Sequence, residues 1–188
     1  GSNAGRPDGA AKVQGGFAFS SDMWAESMLW GATLRSPHPH ARLVNIDVSD
    51  AWKITGVECI VTADDVPGEP NYGLIMQDQP VFARVGDVVR YLGEPILAVA
   101  ADHPETCRRA LAAVKVTYEI LEPVTDAERC IDGSAPPIHP LGNVFRHQRI
   151  LTGDQTIVGE IQVEGTYEIG MQDQAFLGLE AALAVPDS

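Results

Sequence analysis

The sequence predicts an α+β fold, and three features of the first 125 residues support this prediction. Apolar and polar side chains alternate over residues 44–48 and again over 114–120, with the two-residue period of a half-buried strand. A third apolar run covers 95–101, and a helix is predicted between this run and the strand at 114–120. Strand, helix and strand in that order are typical of a crossover in a mixed sheet.

The elements predicted first along the chain lie before residue 68. Residues 1–15 are rich in glycine and alanine and show no periodicity, so we expect them to be flexible. Their first four letters, GSNA, are typical of the remnant of a cleaved purification tag. A strand over 28–34 should stop at the Ser36-Pro37 step, and a further strand is predicted over Val57–Val61. Ahead of that strand, Gly56 should end a short helix.

The region from 68 to 120 is predicted to hold a loop, strands and one helix. Residues 68–80 are loop-like, and strands are expected over 88–91 and 95–101 with a Gly93-Glu94 turn between them. The helix should cover 103–113, where Asp102 and Glu105 form a capping pair around Pro104. Its core-facing residues are expected to be Cys107, Leu111 and Val114.

The composition changes after Pro123, which predicts a boundary in the chain. We expect one domain over 16–125, a proline- and glycine-rich linker over 126–145, and the start of a second domain over 146–188. Strands are predicted there over 149–153 and 161–169, and the apolar run 181–185 is typical of a buried strand. We therefore expect the tail to be the first part of a larger domain, the rest of which lies outside this sequence.

Charge and cysteine content exclude several classes of function. The formal net charge of −13 argues against nucleic-acid binding and against docking on anionic membranes. No apolar run approaches the ~20 residues that span a bilayer, and no signal-peptide pattern is present. The three cysteines are widely spaced and form no CxxC motif, so a reducing cytoplasm is expected. Three thiols are also too few for an iron–sulfur cluster in this chain.

Motifs that carry chemistry are scarce. His38 and His40 flank Pro39 and are interpreted as parts of a structural turn, with chelation of a metal as the alternative. Cys107 lies on the apolar helix face, which favours a buried thiol over a nucleophile. No GxGxxG, GxxxxGK, GxSxG or HExxH pattern occurs. The residues alone therefore predict no catalytic residue, no metal ligand and no complete active site.

Four stretches, taken together, resemble one enzyme family. They are LRSPHPHARLVNIDVSDAWKITGVECIVTADDVPG at 34–68, RYLGEPILAVAAD at 90–102, ALAAVKVTYEILEPV at 110–124 and IHPLGN at 138–143. In order and spacing they resemble the N-terminal α/β-hammerhead domain of the molybdenum-cofactor-binding (large) subunit of the xanthine dehydrogenase and aldehyde oxidase family. The tail QDQAFLGLEAALAV at 172–185 is similar to the segment that enters the cofactor-binding domain. Its DQAFLGLEAALA form resembles the purine (hypoxanthine/xanthine) dehydrogenase branch of bacterial multi-subunit enzymes.

The resemblance implies a function for the whole subunit rather than for this chain. It implies water-dependent hydroxylation of an electron-poor carbon in an N-heterocycle or aldehyde, in the context of purine catabolism. A molybdenum-pterin cofactor would serve the reaction, and iron–sulfur clusters and FAD on partner subunits or domains would receive the electrons. The glycine-rich GGGFGGK-type loop and the base glutamate of the family are expected after the position that matches Ser188. The isolated chain is therefore expected to bind no cofactor and to be inactive.

Three residues of the tail are candidates for the border of the cofactor funnel. They are Gln172, Gln174 and Glu180, and many relatives have histidine where this sequence has Gln174. The alternative is that these side chains anchor interdomain backbone by hydrogen bonds. A second hypothesis for the whole chain is a free-standing hammerhead domain, used for binding or assembly without catalysis.

Overall fold

The structure is a computed structural model, and it describes residues 1, 3–170, 172–173 and 180–186. The chain divides into two units, one of Gly1–Glu26 with Ile150–Ser188 and one of Ser27–Arg149. In the described residues no helix is both long and apolar enough to cross a membrane. The strands are β1 Trp30–Arg35, β2 Ala41–Asp47, β3 Val57–Val61, β4 Asn71–Tyr72, β5 Gln79–Pro80, β6 Val88–Val89, β7 Pro95–Ala101 and β8 Lys115–Ile120. The helices are α1 Gly9–Val13, α2 Pro104–Ala113 and α3 Ala127–Ile131.

The unit Ser27–Arg149 contains two three-stranded sheets and a small hairpin. One sheet has the strand order β1-β7-β3, the other has the order β6-β2-β8, and β4 pairs with β5. All of these pairings are antiparallel. Strand β7 and strand β8 thus lie in different sheets, and the α2 segment between them links the sheets. The predicted crossover within one mixed sheet is therefore wrong, because periodicity reports burial and not the pairing partner.

Strand β7 holds the unit together because both of its faces are buried. Ile96 packs in a core with Leu43 and Val89 of the other sheet. Leu97 and Val99 pack on the opposite side, in a second core that includes Ala110 of α2. Side chains alternate between the faces of a strand, so a strand that is covered twice needs a nearly continuous apolar sequence. The run PILAVAA meets this requirement, and its prediction as a strand is confirmed.

Helix α2 begins at Pro104, one residue later than predicted. The cap is His103, whose side chain accepts a hydrogen bond from the Glu105 N–H, and Pro104 occupies the first turn. Asp102 was predicted to be the capping residue, and this is wrong. The ring nitrogen of His103 reaches the free N–H group of the first turn instead. Cys107 is buried as predicted, and its S–H donates to the Trp30 carbonyl at 3.0 Å. Burial raises the pKa of the Cys107 thiol, which agrees with an inert packing role.

The other unit contains one short helix in the N-terminal segment that was predicted to be flexible. Helix α1 covers Gly9–Val13, and Lys12 forms an ion pair with Asp8 one turn earlier at 2.6 Å. The Lys12 ammonium also lies 4.6 Å from the centre of the Phe17 ring. Alanine-rich sequence favours a helix, and these two contacts of Lys12 explain why one turn forms here.

Several strands predicted late in the chain do not form in the described residues. Residues 149–153, 161–169 and 181–185 contain no strand, and the last strand of the described chain is β8. An alternating pattern makes a segment amphipathic, but a strand also needs a neighbour for its N–H and C=O groups. The predicted linker 126–145 contains helix α3, and the division of the chain into domains at 16, 125 and 145 stays a prediction.

Candidate functional site

A groove with an apolar wall is the candidate site in the unit Ser27–Arg149. It has a volume of about 560 Å³, and a second cavity of about 520 Å³ shares several of its lining residues. The shared residues are Met76, Asp78, Arg90, Tyr91, His139 and Phe145. They come from the loop of the β4–β5 hairpin, from the residues after β6 and from the segment 138–145. Cavities of this size are typical of small-molecule sites.

The Asp78–His139 pair joins two of these segments. Nε2 of His139 lies 3.0 Å from Oδ2 of Asp78, and both side chains are about one-third exposed. The Leu141 N–H donates to Nδ1 of the same ring at 3.1 Å. Because Nδ1 accepts, Nε2 carries the hydrogen that is donated to the carboxylate. The pair therefore fixes the ring in one orientation at the edge of the groove.

The segment 136–143 is held in shape by Asn143. Its Oδ1 accepts a hydrogen bond from the Ile138 N–H at 2.8 Å, and its Nδ2 donates to the Pro136 carbonyl at 2.9 Å. One amide side chain thus satisfies two backbone groups that no strand or helix could reach. The loop that carries His139 is therefore ordered by its own sequence, although it was predicted to be part of a linker.

The turn between β6 and β7 places Arg90 and Tyr91 on the groove. The Arg90 N–H donates to Oε2 of Glu94 at 2.5 Å, and Glu94 is buried at 2% exposure. Burial raises the pKa of the Glu94 carboxyl, and the backbone N–H donors partly offset that effect. Gly93 has φ +90, a backbone conformation that glycine adopts freely, as was predicted for this turn. Its N–H donates to the Ser36 carbonyl at 2.9 Å.

The positive charge of Arg90 is attracted by the buried Glu94 carboxylate and offsets part of the rise in the pKa of that carboxyl. The Nε atom of Arg90 is buried without a hydrogen-bond acceptor, and none of the ion pairs formed in the described chain includes Arg90. The groove thus combines one arginine side chain, one Asp–His pair and an apolar wall. This arrangement can bind and orient a molecule, and it contains no activated nucleophile.

Two of the three tail residues predicted to border a cofactor are among the described residues. Gln172 and Glu180 are exposed and belong to no helix or strand, and Gln174 lies outside the described residues. Within the described parts of the chain, no three His, Cys, Asp or Glu side chains form a group that could hold a metal ion.

The histidine pair has structural contacts on both sides of Pro39. The His38 ring packs edge-on against Tyr118 with 4.8 Å between ring centres. Nδ1 of His40 lies 2.6 Å from the Glu122 carbonyl, and the His40 residue is buried. The interpretation of this segment as a structural turn is confirmed, since each ring has a packing or hydrogen-bonding role.

Sequence reasoning did not identify the groove. Asp78 was placed in a loop and His139 in a linker, and the 60 residues between them give no periodic signal that the two side chains meet. Arg90 and Tyr91 lie in RYLGEP, and His139 lies in IHPLGN. A strand and a turn were predicted in the first stretch and a linker over the second, and neither stretch was interpreted as part of a site. An arginine followed at once by an aromatic residue at the end of a short strand was the one available sign of a site.

A family model matches most of the unit that carries the groove. The model is described as aldehyde oxidase and xanthine dehydrogenase, a/b hammerhead domain, and it matches residues 14–122. A relative from Bacillus subtilis (strain 168), named as a subunit of a probable xanthine dehydrogenase, is 36% identical over 97% of this chain and 25% of its own length. The nicotinate dehydrogenase large molybdopterin subunit of Eubacterium barkeri is 33% identical over 100% of this chain and 44% of its own length. The chain thus spans about a quarter of the length of the first relative and less than half of the length of the second.

Solved structures agree with the family match. The aldehyde oxidoreductase from Desulfovibrio desulfuricans ATCC 27774 superposes with a TM-score of 0.67 at 27% identity, over 73% of this chain and 16% of that protein. Quinoline 2-oxidoreductase from Pseudomonas putida 86 gives a TM-score of 0.65 at 31% identity, over 75% of this chain and 19% of that protein. The predicted α+β hammerhead class is therefore confirmed.

Proposed function

This chain belongs to the aldehyde oxidase and xanthine dehydrogenase family, and on that premise we propose that it forms the hammerhead part of a molybdenum hydroxylase subunit. The match of the family model to residues 14–122 carries the proposal. In this proposal the complete subunit hydroxylates an electron-poor carbon of an N-heterocycle or aldehyde with oxygen from water. A molybdenum-pterin cofactor supplies the redox chemistry when it is bound, and iron–sulfur and FAD components take the electrons.

The role of the present chain in that enzyme is structural. No reaction step is assigned to its described residues, among which no three His, Cys, Asp or Glu side chains form a group that could hold a metal ion. We propose that the remainder of the subunit supplies the catalytic residues, and that Gln172, Gln174 and Glu180 border the cofactor funnel once that remainder is present. The names of two relatives, a xanthine and a nicotinate dehydrogenase, support a heterocyclic substrate, and the name of the first favours the purine branch. The free cysteines Cys59, Cys107 and Cys130 support a reducing cytoplasm as the compartment.

Metal analysis and activity assays on two proteins test this proposal. The 188-residue chain, purified from cells that make the cofactor, should contain far less than stoichiometric molybdenum and should not oxidise hypoxanthine, nicotinate or an aldehyde. The protein expressed from the complete natural reading frame, together with its iron–sulfur and FAD partners, should contain molybdenum and oxidise at least one of these compounds. Stoichiometric molybdenum in the short chain would overturn the structural role. A natural reading frame that stops near residue 188 would favour the binding-module alternative.

A further inference from the structure

The groove is lined by apolar side chains that the unit Ser27–Arg149 leaves in solvent. Leu74, in the loop of the β4–β5 hairpin, is 101% exposed, and Ile75 beside it is 80% exposed. Leu92 after β6 and Leu141 and Phe145 of the segment 138–145 are each exposed by two-thirds or more. Single apolar residues on a surface are ordinary, but a set that lines one groove is typical of an interaction surface.

The cover for this groove has to be wide, because its apolar walls come from three separate segments. They are the hairpin loop at 74–76, residues 91–92 and the segment 138–145. Since the whole Leu74 side chain is in solvent, a small molecule inside the groove would leave most of that side chain uncovered. A protein surface can cover all three segments at once, with an apolar centre and a polar rim. The partly exposed Asp78–His139 pair fits such a rim.

The chain leaves the unit close to one wall of the groove. Phe145 lies on this wall, and the unit ends at Arg149. Later parts of the same polypeptide are therefore tethered near the groove, and a tether raises their effective concentration above that of a free partner. A second copy of the chain has no tether and carries the same net charge of −13, which opposes its approach. Both facts favour an occupant from the same polypeptide.

The relatives have enough additional chain to supply such an occupant. The Bacillus subtilis relative matches 97% of this chain with 25% of its own length, so about three quarters of that relative lies outside the match. The Eubacterium barkeri relative matches the whole of this chain with 44% of its own length. A remainder of this size can present a folded surface as wide as the groove.

We propose that this groove is the docking site for an apolar surface of the same subunit, formed by a part of the subunit that lies outside this sequence. The inference rests on the proposed function, which supplies that remainder, and it adds the place on this chain where the remainder packs. Burial of the exposed groove side chains then holds the two parts of the subunit together.

Hydrogen exchange followed by mass spectrometry tests the docking by comparing the 188-residue chain with the complete natural subunit. Amides of residues 74–76, 91–92 and 141–145 should exchange at least about tenfold more slowly in the complete subunit, because the docked surface excludes water. Residues 84–86 line neither cavity and serve as the control, and their exchange should change by less than about twofold. The complete subunit is measured with and without its iron–sulfur and FAD partners.

The outcomes separate this proposal from the proposed function. A complete subunit that contains molybdenum but exchanges its groove amides as fast as the short chain would overturn the docking alone. A complete subunit that lacks molybdenum but protects the groove would support the docking and contradict the proposed function. Protection that requires the partners would assign the groove to a partner, and protection of the short chain that grows with its concentration would assign it to a second copy. Either result would overturn the proposal.

A matched pair of substitutions tests whether the groove side chains hold the docked surface. Ile75→Ser changes a groove residue that is 80% exposed, and Ile131→Ser changes a residue that is 78% exposed and lines neither cavity. In the 188-residue chain both variants should unfold at the wild-type urea concentration, because neither residue is buried there. In the complete subunit Ile75→Ser should speed exchange at 141–145 about tenfold, and Ile131→Ser should leave it unchanged. Equal exchange at 141–145 in the two variants would overturn the proposal.

Discussion

Glu94 shows how one buried residue makes the stability of this fold depend on pH. It is 2% exposed, and its carboxylate accepts from the Arg90 N–H in the turn that leads to β7. Burial raises its pKa above the ordinary glutamate value of 4.5, which is the value expected in the unfolded chain. The folded state therefore holds the proton to a higher pH than the unfolded state. The contribution of this group to stability is full below pH 4.5 and is lost as pH rises through the folded pKa.

Glu94→Gln should remove this pH dependence, because glutamine keeps a carbonyl acceptor and does not titrate. The free energy of unfolding of the wild type should fall relative to that of the variant as pH rises above 4.5, and the difference should level off above the folded pKa. Urea denaturation from about pH 4 to about pH 8 measures both curves. Glu69→Gln removes the same charge at an exposed position and serves as the control. If the curves of Glu94→Gln and Glu69→Gln differ from the wild-type curve in the same way, the pH dependence does not arise from the burial of Glu94.

The elements of this fold illustrate what a sequence pattern can and cannot predict. The apolar run of β7 and the alternation in β2 and β8 predicted strands that the structure contains, because each pattern reports which faces are buried. The pattern could not predict that β6 and β7, which lie on either side of one glycine turn, join different sheets. Pairing depends on contacts between distant residues, such as Ala41 with Val89 and with Ile120, which no local period encodes. The groove follows the same rule, since Asp78 and His139 form an ion pair although they are far apart in the sequence.

Gly56→Ala should destabilise the sheet β1-β7-β3. Gly56 precedes β3 and has φ +94, and its carbonyl accepts from the Asp102 N–H just after β7. An added Cβ would lie 2.5 Å from the Asp102 carboxylate oxygens. The strained φ and the displaced carboxylate together should cost about 1–3 kcal/mol in the free energy of unfolding.

Gly31→Ala is the matched control for that substitution. Gly31 lies in β1 of the same sheet, and an added Cβ there would meet nothing within 4 Å. Its free energy of unfolding should stay within about 0.5 kcal/mol of the wild type, or rise slightly because alanine restricts the unfolded chain. Urea melts of both variants decide the matter. If Gly56→Ala is as stable as Gly31→Ala, the Asp102 side chain can move away from the added Cβ without lowering the free energy of unfolding.

At the scale of the whole molecule, apolar residues are distributed unequally between the two units. The unit Ser27–Arg149 has two cores of buried apolar side chains, although other apolar side chains of this unit are exposed. Residues 150–170 belong to no helix or strand, and their apolar side chains are exposed: Ile150, Leu151, Ile157, Val158, Ile161, Val163, Tyr167 and Ile169. Strands were predicted over 149–153 and 161–169, but the described chain contains no strand there and no neighbouring strand that covers these side chains. An exposed set of this size is typical of an interaction surface.

This exposed segment should make the chain associate with itself, and salt should strengthen the association. Burial of apolar surface is worth about 25 cal/mol per Å², so covering a few of these side chains favours a dimer. The net charge of −13 on each chain opposes close approach. Added salt screens that repulsion, since the Debye length falls from about 10 Å at 0.1 M to about 3 Å at 1 M. The mean mass from sedimentation should therefore rise between low and high salt.

Two variants of equal length and charge separate the apolar segment from other causes of association. In the first, three exposed apolar residues become serine: Ile157, Ile161 and Val163. In the control, three exposed polar residues become serine: Gln148, Gln155 and Gln162. The first variant should stay monomeric at high salt, because it loses apolar area without a change in charge, and the control should associate like the wild type. A wild type that remains monomeric at about 1 M salt would show that these side chains find cover within their own chain.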